Sequence, residues 1–251
     1  MATCKNCNHP LHGKFCVQCG QKADTRRIDW QWLLHELQHS IFHVDKGLLY
    51  TLKELFARPG IAIRGFLEGK RVRHFRPVAL IMILAAVYSV GFHWTGKEVA
   101  LQLTSDKSGA VDMKQAMETF MSYYAFFELC TIPLYAFWSW LLMRKYGHNY
   151  TEHLIINSFL GGQRIAINIL TLPFNLLGIW PSLAASMVAY VTYLIYYLFG
   201  FAQLYEQRDG AGKVVRPLVA LSLFWISIAV VGIAVVVVLA LAKAKAEGKL
   251  P

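Results

Sequence analysis

Charged residues are scarce in this sequence: 16% of its 251 residues are Asp, Glu, Lys or Arg, and 56% are hydrophobic. Soluble domains carry about a quarter charged residues, so the composition argues against an ordinary soluble protein. The charge that is present lies mostly at one end, since residues 1–76 hold 13 Lys and Arg against 6 Asp and Glu. The composition therefore predicts a basic, water-facing head followed by a chain that is mostly embedded in lipid.

Other signatures are missing as well. No apolar stretch precedes the first charged residues, so no cleavable signal peptide is predicted, and the first spanning helix is expected to target the chain to the membrane. The sequence also has no nucleotide-binding loop, serine-hydrolase elbow or cofactor fingerprint. These absences remove the enzyme classes that such motifs identify.

Five apolar stretches are long enough to cross a membrane, a distance that takes about 20 residues at roughly 1.5 Å per residue. They cover residues 77–94, 120–143, 154–180, 182–205 and 217–242. The first is short, but Tyr88, His93 and Trp94 give it the amphipathic edge that suits a membrane interface. The predicted fold class is therefore all-α, a five-span transmembrane helical bundle that follows a small zinc knuckle and amphipathic cytoplasmic helices.

Basic residues near the ends of these stretches set the expected orientation. They precede the first stretch and occupy the second-to-third and fourth-to-fifth connections: Arg58, Arg64, Lys70, Arg71, Arg73, Arg76, Arg144, Lys145, Arg208, Lys213 and Arg216. All of them fall on one side of a five-span protein. The tail with Lys243, Lys245 and Lys249 disagrees, but the first helix usually dominates the topology. We therefore expect a cytoplasmic N-terminus and a C-terminus outside.

Four of the five cysteines form the most specific motif, Cys4-x-x-Cys7 and Cys16-x-x-Cys19, separated by eight residues. Each pair can aim two sulfur atoms from a tight turn at one metal ion, and two pairs complete the closed tetrahedral thiolate shell of a structural zinc site. About twenty residues cannot form a core, so the metal would supply most of the folding energy. The alternative is two disulfides, which a cytoplasmic head disfavours.

The other candidates near this motif have ordinary explanations. His9 and His12 lie between the cysteine pairs and could replace a thiolate, but four cysteines already suffice, so both are interpreted as loop residues. Cys130 lies within the second apolar stretch and is interpreted as a small packing residue. The sequence thus predicts one structural Zn²⁺ in a knuckle formed by residues 1–22.

Residues 30–44 have the pattern of an amphipathic helix, with Asp29 as its N-cap. Its apolar face and its histidine face are opposite each other: Trp30, Leu33, Leu34, Leu37, Ile41 and Val44 against His35, His39 and His43. The segment His35-Glu36-Leu37-Gln38-His39 matches the zinc-protease pattern in which two histidines bind zinc and the glutamate activates a metal-bound water. An enzymatic alternative therefore has Glu36 as catalytic residue and a second metal site at His35 and His39.

The protease interpretation lacks a third zinc ligand. His43 lies about 12 Å along the helix from His35, too far to share one ion. Glu54, Glu68 and His74 stand in no metalloprotease context. The simpler interpretation is a surface helix whose apolar face packs on lipid or on a neighbour, with its histidines toward water.

A basic segment separates this helix from the first span. Lys70, Arg71, Arg73 and Arg76 alternate with apolar residues immediately before residue 77, a pattern typical of segments that bind anionic lipid headgroups. Nucleic acid is the rival anion, but the nearby membrane makes lipid the expected partner, and no nucleic acid is expected. The predicted domains are the knuckle at 1–22, a basic amphipathic cytoplasmic or interfacial segment at 23–76, and the transmembrane domain at 77–251.

An ordered set of short motifs covers about residues 1–80. It comprises Cys-x-x-Cys, Gly13-Lys14-Phe15-Cys16-x-x-Cys19-Gly20-Gln21-Lys22, a His-rich helix, Asp45-Lys46-Gly47, Thr51-Leu52-Lys53, Arg58-Pro59-Gly60 and Gly69-Lys70-Arg71, with a looser match at Asn149-Tyr150-Thr151-Glu152-His153. The set resembles a bacterial multi-pass membrane family of unknown function with an N-terminal zinc ribbon. That resemblance implies a location in the bacterial cytoplasmic membrane and brings no established reaction. Five spans after a soluble N-terminus are also similar in architecture to Yip1-type membrane proteins.

Two ionisable residues fall near the middle of predicted spans, Glu128 in the second and Arg164 in the third. Ionisable groups at that depth are costly and are usually paired or functional. We therefore expect an ion pair between them, or a shared polar cavity lined also by Asn157, Gln163 and Asn168.

The third span has an alternative interpretation. Gly161-Gly162 and Pro173 make it the span most prone to be broken, which suits a cavity. In the alternative, residues 150–163 form an interfacial helix, and Arg164 lies at the inner headgroups where the span begins.

Three functions from different classes follow. The first is a non-enzymatic membrane scaffold, assembly or regulatory subunit that docks other membrane or cytoplasmic proteins through its zinc head. The second is a membrane-associated zinc metalloprotease that uses His35, Glu36 and His39. The third is a small transporter or lipid-handling protein that uses Glu128 and Arg164. The sequence favours them in that order.

Overall fold

The computed structural model describes residues 2–34, 47–102, 119, 122–176, 182–207 and 210–246. Within these ranges the protein is all-α, as the sequence predicts, and no strand is present there. The head at the N-terminus has two isolated β-bridges, Thr3 with Pro10 and Phe15 with Lys22. The helices whose bounds lie within the described residues are, in chain order, α1 Leu48–Ala57, α2 Pro59–Glu68, α3 Pro77–Gln102, α4 Tyr124–Met143, α5 Tyr150–Leu176, α6 Ser182–Leu204 and α7 Gly212–Ala246.

Helix α5 is the centre of the bundle, because it packs against α1, α2, α3, α4 and α6, while α7 packs on α4 and α6. Every residue of α5 from Thr151 to Gln163 is buried. A Cβ added at Gly161 would lie 3.0 Å from Ile132 Cδ1, and one added at Gly162 would lie 2.8 Å from Leu80 Cδ2. The two glycines therefore allow α4 and α3 to approach the central helix closely.

This arrangement corrects one expectation for the third predicted span and leaves another untested. The helix is continuous from Tyr150 to Leu176 and passes through Pro173 without a break. Residues 151–163 are buried within the protein, and whether they lie at the interface or within the membrane stays a prediction. The two glycines serve close packing here, and a break is not needed.

Three helices in the described residues are long and apolar enough to cross a membrane: Tyr124–Tyr146, Met187–Leu204 and Gly212–Val235. The sequence predicts five. The apolar part of α3, Pro77–His93, is shorter than a span, and α5 carries many polar side chains. The physical reason for the difference at α5 is that its neighbours, rather than lipid, cover most of its surface.

Helices α1 and α2 form a short hairpin that is fastened into the bundle. Pro59 starts α2 and has no N–H to offer the end of α1, and the Gln163 side chain donates a hydrogen bond to the Leu55 carbonyl instead (2.7 Å). At Gly60 an added Cβ would lie 2.2 Å from the Gly200 carbonyl oxygen, so the two backbones are in contact. Arg64 donates hydrogen bonds to the carbonyls of Gln203 and Leu204, the last residues of α6.

The chain that follows the head contacts the bundle through buried Ile28 and Leu33 and through the Trp32 ring, which packs on Phe66. Asp29 begins a helical turn, because its carboxylate accepts a hydrogen bond from the Trp32 N–H (2.7 Å), as expected of an N-cap. Ile28 and Leu33 are buried, whereas Trp30 and Leu34 are exposed. Of the predicted apolar face, the described part therefore buries Leu33 alone.

Candidate metal centre and buried polar sites

The four cysteines of the head come together in one cluster. Their Sγ atoms all lie within 4.8 Å of one another, with Cys4 to Cys19 at 3.6 Å and Cys7 to Cys16 at 3.5 Å. Sulfur atoms held tetrahedrally around zinc at about 2.3 Å are about 3.8 Å apart, close to these distances. A disulfide needs about 2.05 Å, so the cysteines are not bonded to each other. The four residues can therefore hold one metal ion together.

Two equivalent turns build this cluster. In the first, the Cys4 N–H bonds to the His9 carbonyl and the Asn8 N–H to the Cys4 carbonyl; in the second, Cys16 and Gly20 repeat these bonds. Asn8 (φ +61°) and Gly20 (φ +74°) follow the second cysteine of each turn. Both have the left-handed conformation that Asn and Gly adopt most readily. The residue after each Cys-x-x-Cys is therefore what closes the turn.

The pKa values of two cysteines are shifted in opposite directions. At Cys7 a hydrogen bond with the His9 backbone acts to lower the pKa, but burial and the other three thiols outweigh it and raise that pKa to about 12. Burial acts to raise the pKa of Cys19, but hydrogen bonds with the Asn6 side chain and the Gln21 backbone outweigh it and lower that pKa to about 6. A thiolate is the form that binds metal. His9 is half-buried and His12 exposed, and among the described residues the metal-ligating cluster contains neither.

The head is joined to the turn between α2 and α3. The Gln21 side chain, two residues after the last cysteine, accepts hydrogen bonds from the N–H groups of Arg71 (3.1 Å) and Val72 (2.9 Å). Arg71 also donates to the Arg26 carbonyl, and its guanidinium lies 4.8 Å from the centre of the Trp32 ring. Arg71 thus holds the head against the bundle.

A second junction lies at the start of α5. Arg27 donates two hydrogen bonds of 2.8 Å to the carboxylate of Glu152, and Asn149 donates to the Ile28 carbonyl (3.0 Å). Asn149 and Glu152 also bond to each other's backbone N–H, which is a capping box for α5. Burial acts to raise the pKa of Glu152, but Arg27 and the Asn149 N–H outweigh it, so the pKa lies below its usual value.

Glu128 and Arg164, the two predicted intramembrane charges, meet across the α4–α5 contact as an ion pair, with side chains only 10% and 14% exposed. Arg164 also donates to the Tyr135 hydroxyl (2.6 Å), and its guanidinium lies over the rings of Tyr135 and Tyr193. The hydrogen bonds of this pair, within the described residues, do not include Asn168, whose carbonyl accepts from Thr171.

A second buried polar cluster lies between α4 and α5, and of its members only Asn157 was predicted to line a polar site. Ser139 Oγ lies 2.9 Å from His153 Nδ1, and Asn157 donates a hydrogen bond to the same hydroxyl (2.8 Å). All three side chains are buried. Burial, aided by nearby His148, lowers the pKa of His153 to about 3, so the ring is neutral. The spacing 153, 157 and 164 puts these polar residues on one helix face, a signal that was present in the sequence.

The four basic residues predicted to bind lipid headgroups are placed differently from one another. Lys70 and Arg73 are exposed, whereas Arg71 and Arg76 are half-buried. Arg71 is committed to the contacts with Arg26 and Trp32 described above. The pattern of alternating charge gave no sign of this difference.

The predicted second metal site lies outside the described residues. His35, Glu36, His39 and His43 all fall between residues 34 and 47. The structure therefore adds nothing to the zinc-protease hypothesis, which stays a sequence prediction.

Fold and site together define a class: an all-α protein with candidate membrane-spanning helices and a four-cysteine cluster that can hold a metal ion. The profile of a family described as protein of unknown function (DUF3667) matches residues 45–89. That segment contains the α1–α2 hairpin, the basic turn and the first half of α3. No curated protein and no solved structure matches the chain.

Proposed function

We propose that this protein is a non-enzymatic scaffold, assembly or regulatory subunit of the bacterial cytoplasmic membrane, whose N-terminal head is organised by one structural zinc ion. The observation that carries the proposal is the closed cluster of four thiols joined to the bundle. Four protein ligands fill a tetrahedral shell and leave no position for water or substrate. Such a metal stabilises a surface and does no chemistry of its own.

The proposed scaffold presents its head in a fixed orientation. Contacts from Gln21 to the α2–α3 turn and from Arg27 to α5 hold the head on one end of the bundle. Phe15 and Val17 in the knuckle stay exposed, at 55% and 82% of their surface, and could contact another protein. This arrangement differs from a docking module on a free tether, because the partner would meet a surface fixed relative to the membrane.

The proposed topology has five spans, a cytoplasmic N-terminus and a C-terminus outside. Three helices satisfy the length and composition of a span on their own. We add α3, which continues to Gln102 beyond its apolar part, and α5, whose polar side chains are shielded by five neighbouring helices. The basic residues at the ends of the predicted spans support the orientation, and exposed Lys70 and Arg73 would face anionic headgroups.

The zinc content of the purified full-length protein tests this proposal. One zinc ion per chain is expected, lost in the Cys16→Ser, Cys19→Ser variant and retained in the Cys130→Ser control. Retention of zinc by the first variant would contradict the proposal. A second zinc ion that is lost on replacing His35 or His39 would instead favour the metalloprotease with Glu36 as catalytic residue.

A second candidate function, transport or lipid handling, is favoured by the Glu128–Arg164 pair. A charged pair that is mostly buried among candidate membrane helices is costly, and such groups often mark the path of a polar substrate. Solute flux into proteoliposomes, measured for wild type and for the Glu128→Gln variant, tests it. Equal flux of each tested solute through both would count against this function.

A further inference from the structure

Polar side chains follow the contact between α4 and α5 in a row that is interrupted where Gly161 packs on Ile132. We call this row the polar seam: Tyr135 and Ser139 on α4, and His153, Asn157 and Arg164 on α5. The α5 residues are spaced by four and seven positions, so they lie on one face of the helix that looks toward α4. From His153 to Arg164 the seam extends about 16 Å at 1.5 Å per residue.

Several polar atoms of the seam lack a hydrogen-bond partner among the described residues. They are His153 Nε2, Asn157 Oδ1 and Arg164 Nε, and each is buried. His153 and Asn157 are one helical turn apart, so two of these atoms lie at the same end of the seam. A buried polar atom that makes no hydrogen bond is strongly unfavourable. Buried polar atoms without a partner in the protein therefore usually bond to ordered water or a ligand. We therefore expect small polar molecules to bind beside these atoms of the seam.

One end of the seam is covered by the chain that leads away from the head. Residues 25–30, which we call the strap, contact the start of α5 at Glu152 and its N-terminal neighbour Asn149. Arg27 of the strap binds Glu152, the immediate neighbour of His153 in sequence, and donates to the Gly147 carbonyl (2.6 Å). The Ile28 carbonyl accepts from Asn149, and the Ile28 side chain is buried.

We propose that the polar seam between α4 and α5 binds water or similarly small polar molecules that arrive from the head side, and that the strap is the lid that closes this end. The proposal goes beyond the scaffold role and does not depend on the metal. The Glu152 side chain is 6% exposed whereas that of Arg27 is 60% exposed, so Arg27 can leave from the solvent side while Glu152 stays in place. Burial of Ile28 keeps the closed position dominant.

Cysteine accessibility in the reconstituted full-length protein tests the proposal. Ser139→Cys, in a Cys130→Ser background, places a thiol in the seam. Asn157→Cys in the same background is the second reporter, used if Ser139→Cys loses its zinc and with it the native fold. The probe is methanethiosulfonate ethylammonium, and modification of each peptide is followed by mass spectrometry. The lid is opened with Arg27→Ala, and Arg26→Ala, a neighbouring exposed arginine, is its matched control.

We expect slow modification at residue 139 that becomes about tenfold faster with Arg27→Ala, since the loss of a bidentate charged contact shifts the opening equilibrium by about that factor. Arg26→Ala should leave the rate unchanged. If neither arginine variant allows modification of the seam thiol, the proposed binding site is wrong. If the thiol is modified at the same rate with Arg27 and with Arg27→Ala, the proposed lid is wrong.

Discussion

At the residue scale, many of the buried polar side chains of the bundle lie on the central helix α5. Burial shifts the pKa of a titratable side chain there. His153 is the clearest case, because its ring is fully enclosed and bonded through Nδ1 to Ser139. It lies one residue before the predicted span of residues 154–180, outside the stretch expected to lie in lipid. Its protonation therefore links stability to pH.

Stability should decrease as the pH falls below 6.5. The folded protein holds the pKa of His153 near 3, whereas the unfolded chain binds a proton from the ordinary value of 6.5 downward. Between these two pH values the unfolded state therefore binds more protons than the folded state. The contribution of His153 to stability is complete above pH 6.5 and decreases by about 1.4 kcal/mol per pH unit below it. Thermal unfolding in detergent between pH 7.5 and 5.5 measures the slope. His153→Gln should reduce it and leave the part contributed by half-buried His74, whose pKa burial also lowers. An unchanged slope in this variant would contradict the prediction.

The Glu128–Arg164 pair gives a second prediction at this scale. Removing one partner leaves a buried charge without compensation, which costs about 3–5 kcal/mol. Replacing both removes that penalty, so Glu128→Gln with Arg164→Met should be less destabilised than either single variant. The free energies of unfolding of the four proteins form a double-mutant cycle. Simple additivity of the two substitutions would show that the two charges do not interact.

At the scale of elements, the short motifs near residues 45–76 acquire a structural meaning. Gly47 lies where an added Cβ would be 2.7 Å from the Arg73 carbonyl oxygen, and Thr51 accepts a hydrogen bond from the Phe75 N–H (2.7 Å). Gly69 ends α2 with φ +109°, a conformation that favours glycine. These residues fix the hairpin and the basic turn relative to each other, so the segment that matches the family is a packing unit.

Gly60→Ala tests the tightest of these contacts. The new Cβ would be 2.2 Å from backbone oxygen of Gly200, so α2 and α6 must separate, and we expect a loss of about 3 kcal/mol, the upper end of overpacking effects. Gly232→Ala in α7 is the matched control, since nothing lies within 4 Å of its added Cβ. Chemical unfolding of both variants should separate them clearly. Equal stability would show that the hairpin is not packed against α6 in this way.

At the scale of the whole molecule, the head and the bundle are one body joined at two places. Gln21 connects the second knuckle turn to the α2–α3 turn, and Arg27 connects the strap to α5. The metal would organise the knuckle, and the knuckle positions Gln21. We therefore expect loss of the metal to make the strap more accessible.

Removing zinc with a chelator should make the strap sensitive to trypsin while the helices of the bundle persist. The expected cleavage sites are Lys22, Arg26 and Arg27, which become accessible when the knuckle unfolds. Peptide mapping gives the sites, and circular dichroism reports the remaining helix. The Cys130→Ser protein with zinc bound should resist cleavage like the wild type. Rapid cleavage of the zinc-bound protein at the same sites would show that the metal does not hold the head.

Several features could be predicted from the sequence because each depends on neighbours in the chain. Apolar runs predict helices and a membrane protein, and the Cys-x-x-Cys spacing places two sulfur atoms in one turn. The cluster of Cys4, Cys7, Cys16 and Cys19 follows from two such turns. Glu128 and Arg164 stood out because charges are rare in apolar stretches.

The rest depends on contacts between residues far apart in the chain, which spacing alone does not give. Arg27 with Glu152, Arg64 with the end of α6, and Ser139 with His153 each join different elements. Packing also explains why α5, which was predicted as a span, carries polar residues. A helix enclosed by its neighbours needs no apolar surface toward lipid, so α5 could keep its polar face. Composition and local spacing thus determined the class and the metal-binding motif, whereas packing decided which polar groups meet.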